Sequence, residues 1–234
     1  MATRPFRFKQ FSIHQDQAPF KVGTDGALLG AWAAVQNEHR ILDIGTGTGL
    51  IALMLKQRAP KAQVVALEYQ KEAADQARIN FEESPWDIGL VEQDLQSFIP
   101  QSNFDRIVCN PPYFKPSTLS DNKGKNLSRQ NLSLDLDDLF RFADQHLSAS
   151  GQLSMVIPKD RENDYRKWMD QFNFHPLREW SMHPTPVHEV KRMLLTCGRV
   201  AQETEVKSFI LESEGRHHYS LEVKELLRDF YLFL

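Results

Sequence analysis

The chain has 234 residues, enough for one α/β domain with a full core. Its 41% hydrophobic and 25% charged residues mark an ordinary globular protein, with no apolar run long enough to cross a bilayer. A formal net charge of -3 weighs against a surface built throughout for nucleic acid and leaves only locally basic segments for that role. The start, "MATRPFRFKQ", carries charges and aromatics where a signal peptide has an apolar core, so a cytoplasmic protein is expected. Cys109 and Cys197 lie in or at the end of apolar runs with no disulfide or zinc spacing, and read as reduced core thiols.

In chain order, Phe6, Phe8, Phe11 and Ile13 form an irregular strand or hairpin pattern, and Thr24 to Val35 reads as a helix. "RILDIG" is the first strand of a regular alternation, followed by a helix from Leu50 to Arg58 that Pro60 ends. "QVVALE" is the second strand, and Lys71 to Phe81 is a helix free of Pro and Gly. "IGLVEQD" and "FDRIVCN" are the third and fourth strands. Leu134 to Leu147 has helical spacing, with Asp135, Asp137 and Asp138 where the helix dipole favours negative charge. Gly151 opens "QLSMVIP", the fifth strand; Asp160 to Phe172 is helical, and "REWSMH" and "RMLLTCGRV" are two more strands. "YSLEVKELLRDFYLF" is an amphipathic helix with Ser220 as candidate cap. The alternation predicts an α/β fold, Rossmann-like, with a mostly parallel seven-stranded sheet and helices on both faces. One domain is expected: an arm and helix at 1–39, a core at 40–200 and an extension at 201–234.

"LDIGTGTGL" places Asp43 at the end of the first strand and Gly45, Thr46, Gly47 and Gly49 in the turn to the next helix. Glycines there permit positive φ and let a ligand touch backbone, and the helix start offers free amides. The dinucleotide fingerprint needs a third glycine where Leu50 stands, so the spacing favours a cofactor without a pyrophosphate. Asp43 suits a ligand with an ammonium group and a sulfonium, as in S-adenosyl-L-methionine. Glu68 ends the second strand, where a carboxylate can accept from both ribose hydroxyls, and Asp94 follows the third, within reach of an adenine amino group. Three acids and glycines in register at successive strand ends mark the ligand edge of an open α/β sheet.

The fourth strand runs into "NPPY". Pro111 and Pro112 stop sheet pairing and fix φ, so the chain turns in one stiff shape. They leave a pocket of acceptors: the Asn110 side-chain oxygen and the Pro111 carbonyl. Two convergent acceptors match a planar NH2 group, Tyr113 offers a face to stack on, and Phe114 adds apolar wall. An adenine or glutamine amine is a poor nucleophile because its lone pair is delocalised. Holding both its hydrogens favours a more tetrahedral nitrogen and aims the lone pair, with no strong base required.

"DIGTGTG" followed by "NPPY" resembles the S-adenosylmethionine-dependent amino-methyltransferases of the class I fold. The whole chain, with "FKVGTDGALLGAW" ahead of the glycine loop and "LLRDFYL" at the end, resembles the bacterial tRNA(Val) adenine-N6 methyltransferase family. That resemblance implies a tRNA substrate and methylation of the exocyclic amine of the adenine beside the anticodon. Asn110, Pro111 and Tyr113 match the family's catalytic motif. Lys21, Thr24 and Asp25 match the motif lying over the methionine end of the cofactor.

Lys115, Lys123, Lys125 and Arg129 make the segment after the catalytic turn locally basic, and Arg4, Arg7, Lys9 and Lys21 do the same for the N-terminal arm. The first group is a candidate RNA contact. The arm's phenylalanines read as core sooner than as a base-stacking platform. His183 with His188, and His217 with His218, lack a third ligand at credible spacing, so no metal is expected. A monomer is the favoured state. Three alternatives stay open at this point: a protein glutamine-N5 methyltransferase, whose amide fits the same pocket; an enzyme acting on a ribosomal RNA base; and a binding module without turnover.

Overall fold

The computed structural model describes residues 4–16, 21–111, 134–216 and 218–233. An antiparallel hairpin of β1 (Phe6–Arg7) and β2 (Ser12–Ile13) comes first. It is followed by α1 (Thr24–Trp32), β3 (Arg40–Ile44), α2 (Leu50–Arg58), β4 (Gln63–Glu68), α3 (Lys71–Glu82), β5 (Gly89–Glu92) and β6 (Phe104–Cys109). Then come α4 (Leu136–His146), β7 (Leu147–Pro158), a 3-10 turn (Lys159–Arg161), α5 (Glu162–Gln171), β8 (His175–His183), β9 (Arg192–Gly198), β10 (Glu205–Ile210) and α6 (Leu221–Leu227).

The large sheet runs β10-β8-β9-β7-β6-β3-β4-β5. Only β9 is antiparallel to its neighbours β7 and β8; every other pair is parallel. Such a sheet needs cover on both faces, which is why Ile41, Leu42, Ile107, Val108 and Cys109 form unbroken buried runs. One face is packed by α1, α2, the far part of α3, α6 and the N-terminal hairpin. The other is packed by α4 and α5. Both thiols are free and buried, and burial pushes each well above its ordinary titration range.

The sheet has eight strands where the sequence predicts seven. The additional strand, β10, lies outside β8 at the sheet edge, and only Phe209 of its six residues is buried. An edge strand with one buried side chain has almost no apolar pattern to read. Helix α1 stops at Trp32, short of Val35, because Ala33 takes an extended ψ of 133°. Strand β7 starts at Leu147, ahead of Gly151, through a register shift against β6 between Phe104 and Arg106. Asp135, expected within the first turn, is instead the N-cap of a helix that starts at Leu136 and accepts from Asp137 N at 3.1 Å, while Ser220 caps α6 as expected, its Oγ accepting from Val223 N at 3.3 Å.

The chain ends are tied together. Phe8 bridges Tyr231, and Lys9 N donates to the Phe230 carbonyl at 2.7 Å. Phe8 and Phe11 are buried and their rings stack at 4.6 Å, so these two are core residues.

Candidate active site

Strand register brings the predicted residues to one edge. Ile44 lies opposite Leu67 on one side and Cys109 on the other, and Glu68 lies opposite Glu92. The glycine loop, Glu68, Asp94 and Asn110 therefore all leave the sheet at the C-terminal ends of parallel strands, where open α/β sheets hold ligands.

The glycine loop has left-handed backbone at Gly45 (φ 67°), Gly47 (φ 59°) and Gly49 (φ 83°). A Cβ added at Gly45 or Gly47 would meet nothing within 4 Å, so these two border open space. At Gly49 it would fall 2.4 Å from the Phe81 ring, so α3 itself demands glycine there. The loop is pinned from behind: Gly45 N and Thr46 N both donate to the Leu67 carbonyl, at 2.9 and 3.0 Å.

Asp43 is fully buried. Its Oδ2 accepts from Thr46 Oγ1 at 2.6 Å and Ala52 N at 3.1 Å, bracing the turn against the start of α2. Its Oδ1 is buried with no hydrogen-bond partner among the described residues. Burial raises its pKa to about 7, against the opposing hydrogen bonds from Thr46 and Ala52. Glu68, also buried, accepts from Gly47 N through Oε2 and from Gln70 N through Oε1, both at 2.9 Å. Half-buried Asp94 takes the Ser97 hydroxyl at 2.6 Å and its amide at 2.7 Å on Oδ1, which hold the carboxyl below its ordinary range. The donor set fits the expected cofactor. There is a leftover buried acceptor at Asp43, an open backbone cradle at Gly45 and Gly47, and carboxylates at the next two strand ends.

Half-buried Asn110 and buried Pro111 follow β6. The Asn110 amide nitrogen lies against α1: a Cβ on Gly26 would sit 3.7 Å from it, 3.5 Å from Leu50 Cδ2 and 3.9 Å from Ile51 Cγ1. Thus the first turn of α1, which Thr24 opens, the head of α2 and the end of β6 meet at one point. Thr24 is half-buried and Lys21 is exposed. Next to Lys21, Val22 N donates to Gln15 Oε1 at 2.8 Å. Pro112, Tyr113, Phe114, Lys115, Lys123, Lys125 and Arg129 lie outside the described residues. Among the described residues, no group of three or more His, Cys, Asp or Glu is placed to hold a metal, and no helix is long and apolar enough to cross a membrane.

Two residues that the sequence reading passed over build this edge. Asn80, 0% exposed, accepts from His14 N at 2.8 Å and donates to the His14 carbonyl at 2.9 Å and the Thr48 carbonyl at 2.8 Å. It clamps the N-terminal arm to the glycine loop. A polar residue on the Ala73–Ala77–Phe81 face of α3 was the available signal, since buried amides need partners. Arg192 donates from Nε to Asp25 Oδ2 at 2.9 Å. A lone arginine heading an apolar strand gives no such signal.

This fold is that of the class I methyltransferases. A predicted O-methyltransferase from Agrobacterium tumefaciens superposes with a TM-score of 0.69 at 22% identity, covering 88% of this chain and 96% of its own. A ribosomal protein L11 methylase from Lactobacillus delbrueckii gives 0.59 at 21% identity, covering 81% and 84%. The Methyltransferase small domain family matches residues 22–178. A tRNA1(Val) (adenine(37)-N6)-methyltransferase of Bacteroides thetaiotaomicron is 43% identical over 100% of both chains, and that of Flavobacterium psychrophilum 41% over 97% of this chain and 99% of its own. The chain belongs to the tRNA1(Val) (adenine(37)-N6)-methyltransferase family.

Proposed function

We propose that this protein transfers a methyl group from S-adenosyl-L-methionine to the exocyclic N6 of adenine 37 in tRNA1(Val), acting as a cytoplasmic monomer. The reading rests on one observation: Asn110 and Pro111, which open "NPPY", leave β6 at the same sheet edge as the glycine loop, in a chain 43% identical end to end to a relative of that name.

Asp43, Gly45, Thr46, Gly47, Gly49, Glu68, Asp94 and Asn110 hold the cofactor, with Lys21 and Thr24 over its methionine end. When bound, it supplies an electrophilic methyl carbon on a sulfonium. Asn110 accepts one N–H of the target amine and the Pro111 carbonyl accepts the other. Pro112 keeps the turn stiff and Tyr113 stacks on the base. These acceptors favour the positive charge that develops on nitrogen, and the surplus proton then leaves to water. A base in an anticodon loop is extracted at lower cost than one in a duplex. Lys115, Lys123, Lys125 and Arg129 meet RNA phosphates.

The test is incubation with methyl-labelled S-adenosylmethionine and a tRNA1(Val) transcript, beside the same transcript with guanine at position 37 and, in a third reaction, a release factor. Label in the first alone, recovered as N6-methyladenosine, is expected. No label in RNA overturns the reading, and label in a release-factor glutamine replaces it with the glutamine-N5 activity.

A further inference from the structure

The two chain ends meet in a cleft that the transfer chemistry does not use. It encloses about 570 Å³ between Arg4, Phe6 and Arg7 on one side and Tyr231, Leu232 and Phe233 on the other. Its inner wall packs on the core: Phe6 meets Tyr231 edge to face at 5.7 Å, and both contact buried Phe8. Its outer wall is not part of the core. Phe233 is 91% exposed and Leu232 45% exposed. A phenylalanine so exposed contributes little to folding by burial.

The charges are as distinctive. Arg4 and Arg7 are exposed, and among the described residues neither has an ion-pair partner. Other surface arginines of this acidic chain are matched, as Arg141 is to Asp137 and Arg166 to Glu162 and Glu179, while Arg40, Arg58 and Arg106 spend their guanidinium groups on carbonyls. Two unmatched guanidinium groups beside an unburied aromatic face complement a polyanion that carries flat rings.

Register sets the cleft's direction. Phe6 lies opposite Ile13, the neighbour of His14, which Asn80 clamps to Thr48 of the glycine loop. Tyr231 bridges Phe8 antiparallel, which carries Phe233 towards Phe6. The cleft therefore lies at the glycine-loop end of the arm.

We propose that this cleft is an accessory RNA site, in which an unpaired base of the substrate outside the methylation pocket stacks on Phe233 while Arg4 and Arg7 hold flanking phosphates. Single-stranded RNA is gripped by this pairing of aromatic faces with cations. The inference rests on the RNA reading given above and adds the surface that docks the strand.

Fluorescence anisotropy of a labelled RNA hairpin with the tRNA1(Val) anticodon stem-loop sequence tests it, on the full-length protein with no turnover needed. Phe233→Ala should weaken binding by about tenfold, within the range of one lost base stack. Arg4→Glu with Arg7→Glu should weaken it at least as much and flatten the log–log salt slope by roughly 1.5 to 2. The KM for tRNA should rise in step, with the calorimetric affinity for S-adenosylmethionine unchanged as evidence of an intact fold. Unchanged affinity and slope in both variants overturn the proposal. So does a drop in solution mass on Phe233→Ala with RNA affinity intact, which would make the cleft a contact between copies of the chain. A wild-type protein that binds the hairpin through these residues but methylates no RNA strikes the proposed reaction and leaves the cleft standing.

Discussion

Asp25 and Arg192 meet in an ion pair of 2.9 Å across 167 positions of sequence. Arg192 heads β9 opposite Pro158, the last residue of β7, and Asp25 lies in the first turn of α1. The pair fastens the helix that carries Thr24 and Gly26 to the sheet edge where Asn110 emerges. Both side chains are partly exposed, 24% and 31%, so solvent weakens the attraction. A double-mutant cycle of Asp25→Ala and Arg192→Ala, followed by urea denaturation, should return a coupling of about 1 kcal/mol. Each single variant should also bind S-adenosylmethionine less tightly. Additive losses in both measurements would remove the pair from the site's support.

Asn110→Ala tests the acceptor pocket. Calorimetric affinity for S-adenosylmethionine should fall only modestly, since Asn110 is one of several groups that hold the cofactor, while turnover on tRNA falls by ~100-fold or more, the scale of losing one key polar stabiliser. Undiminished turnover would sink the role assigned to this side chain.

Asn80 carries three hydrogen bonds between the arm and the glycine loop, all to backbone groups. Truncation leaves those groups unpaired in a buried place. Asn80→Ala should cost about 2 to 3 kcal/mol in urea denaturation. Cofactor affinity should fall, and limited proteolysis should cut the arm faster. Asn80→Asp places an acceptor against two carbonyls and should be no better than alanine. A variant that loses stability but keeps full cofactor affinity would reduce Asn80 to a packing residue.

Gly49→Ala meets two obstacles, the left-handed φ of 83° and the Phe81 ring 2.4 Å from the new Cβ. A combined loss of about 2 to 4 kcal/mol is expected. Phe81→Leu in the same chain should recover the steric part and leave the conformational part. No recovery would place the whole cost in the backbone.

Asp43 gives the protein a pH signature. In the folded chain burial holds its proton up to about pH 7, against an ordinary value of 3.8. Across that window the folded state binds more protons than the unfolded one, so this group's contribution is full below the lower value and is lost as pH rises through the higher. Asp43→Asn has no proton to lose. Its stability relative to wild type should therefore improve from pH 4.5 to pH 8, by an amount on the order of 4 kcal/mol at most. A difference that does not change with pH would show that the carboxylate is charged in the fold throughout.

Much of the site was legible in the chain itself because its parts are local. The loop from Asp43 to Gly49 joins one strand to one helix; Glu68 ends a strand and Asn110 follows one that apolar runs mark out, and Asp94 follows the weaker pattern of β5. Strand β10 was not legible, because an edge strand with Phe209 as its one buried residue shows no face. Nor was the bracing of the glycine loop by Asp43 and Glu68, whose oxygens accept from Thr46 and Gly47 within it.

Periodicity and spacing within short segments thus determined the α/β alternation and which polar residues follow the central strands. Contacts between distant segments were decided only by the tertiary structure: Asn80 with His14 and Thr48, Asp25 with Arg192, and the cleft between the two chain ends. A side chain's pattern along the chain records which face it turns inward. It holds no record of which remote backbone group or charge waits there, since that partner is chosen when the sheet and its covering helices pack.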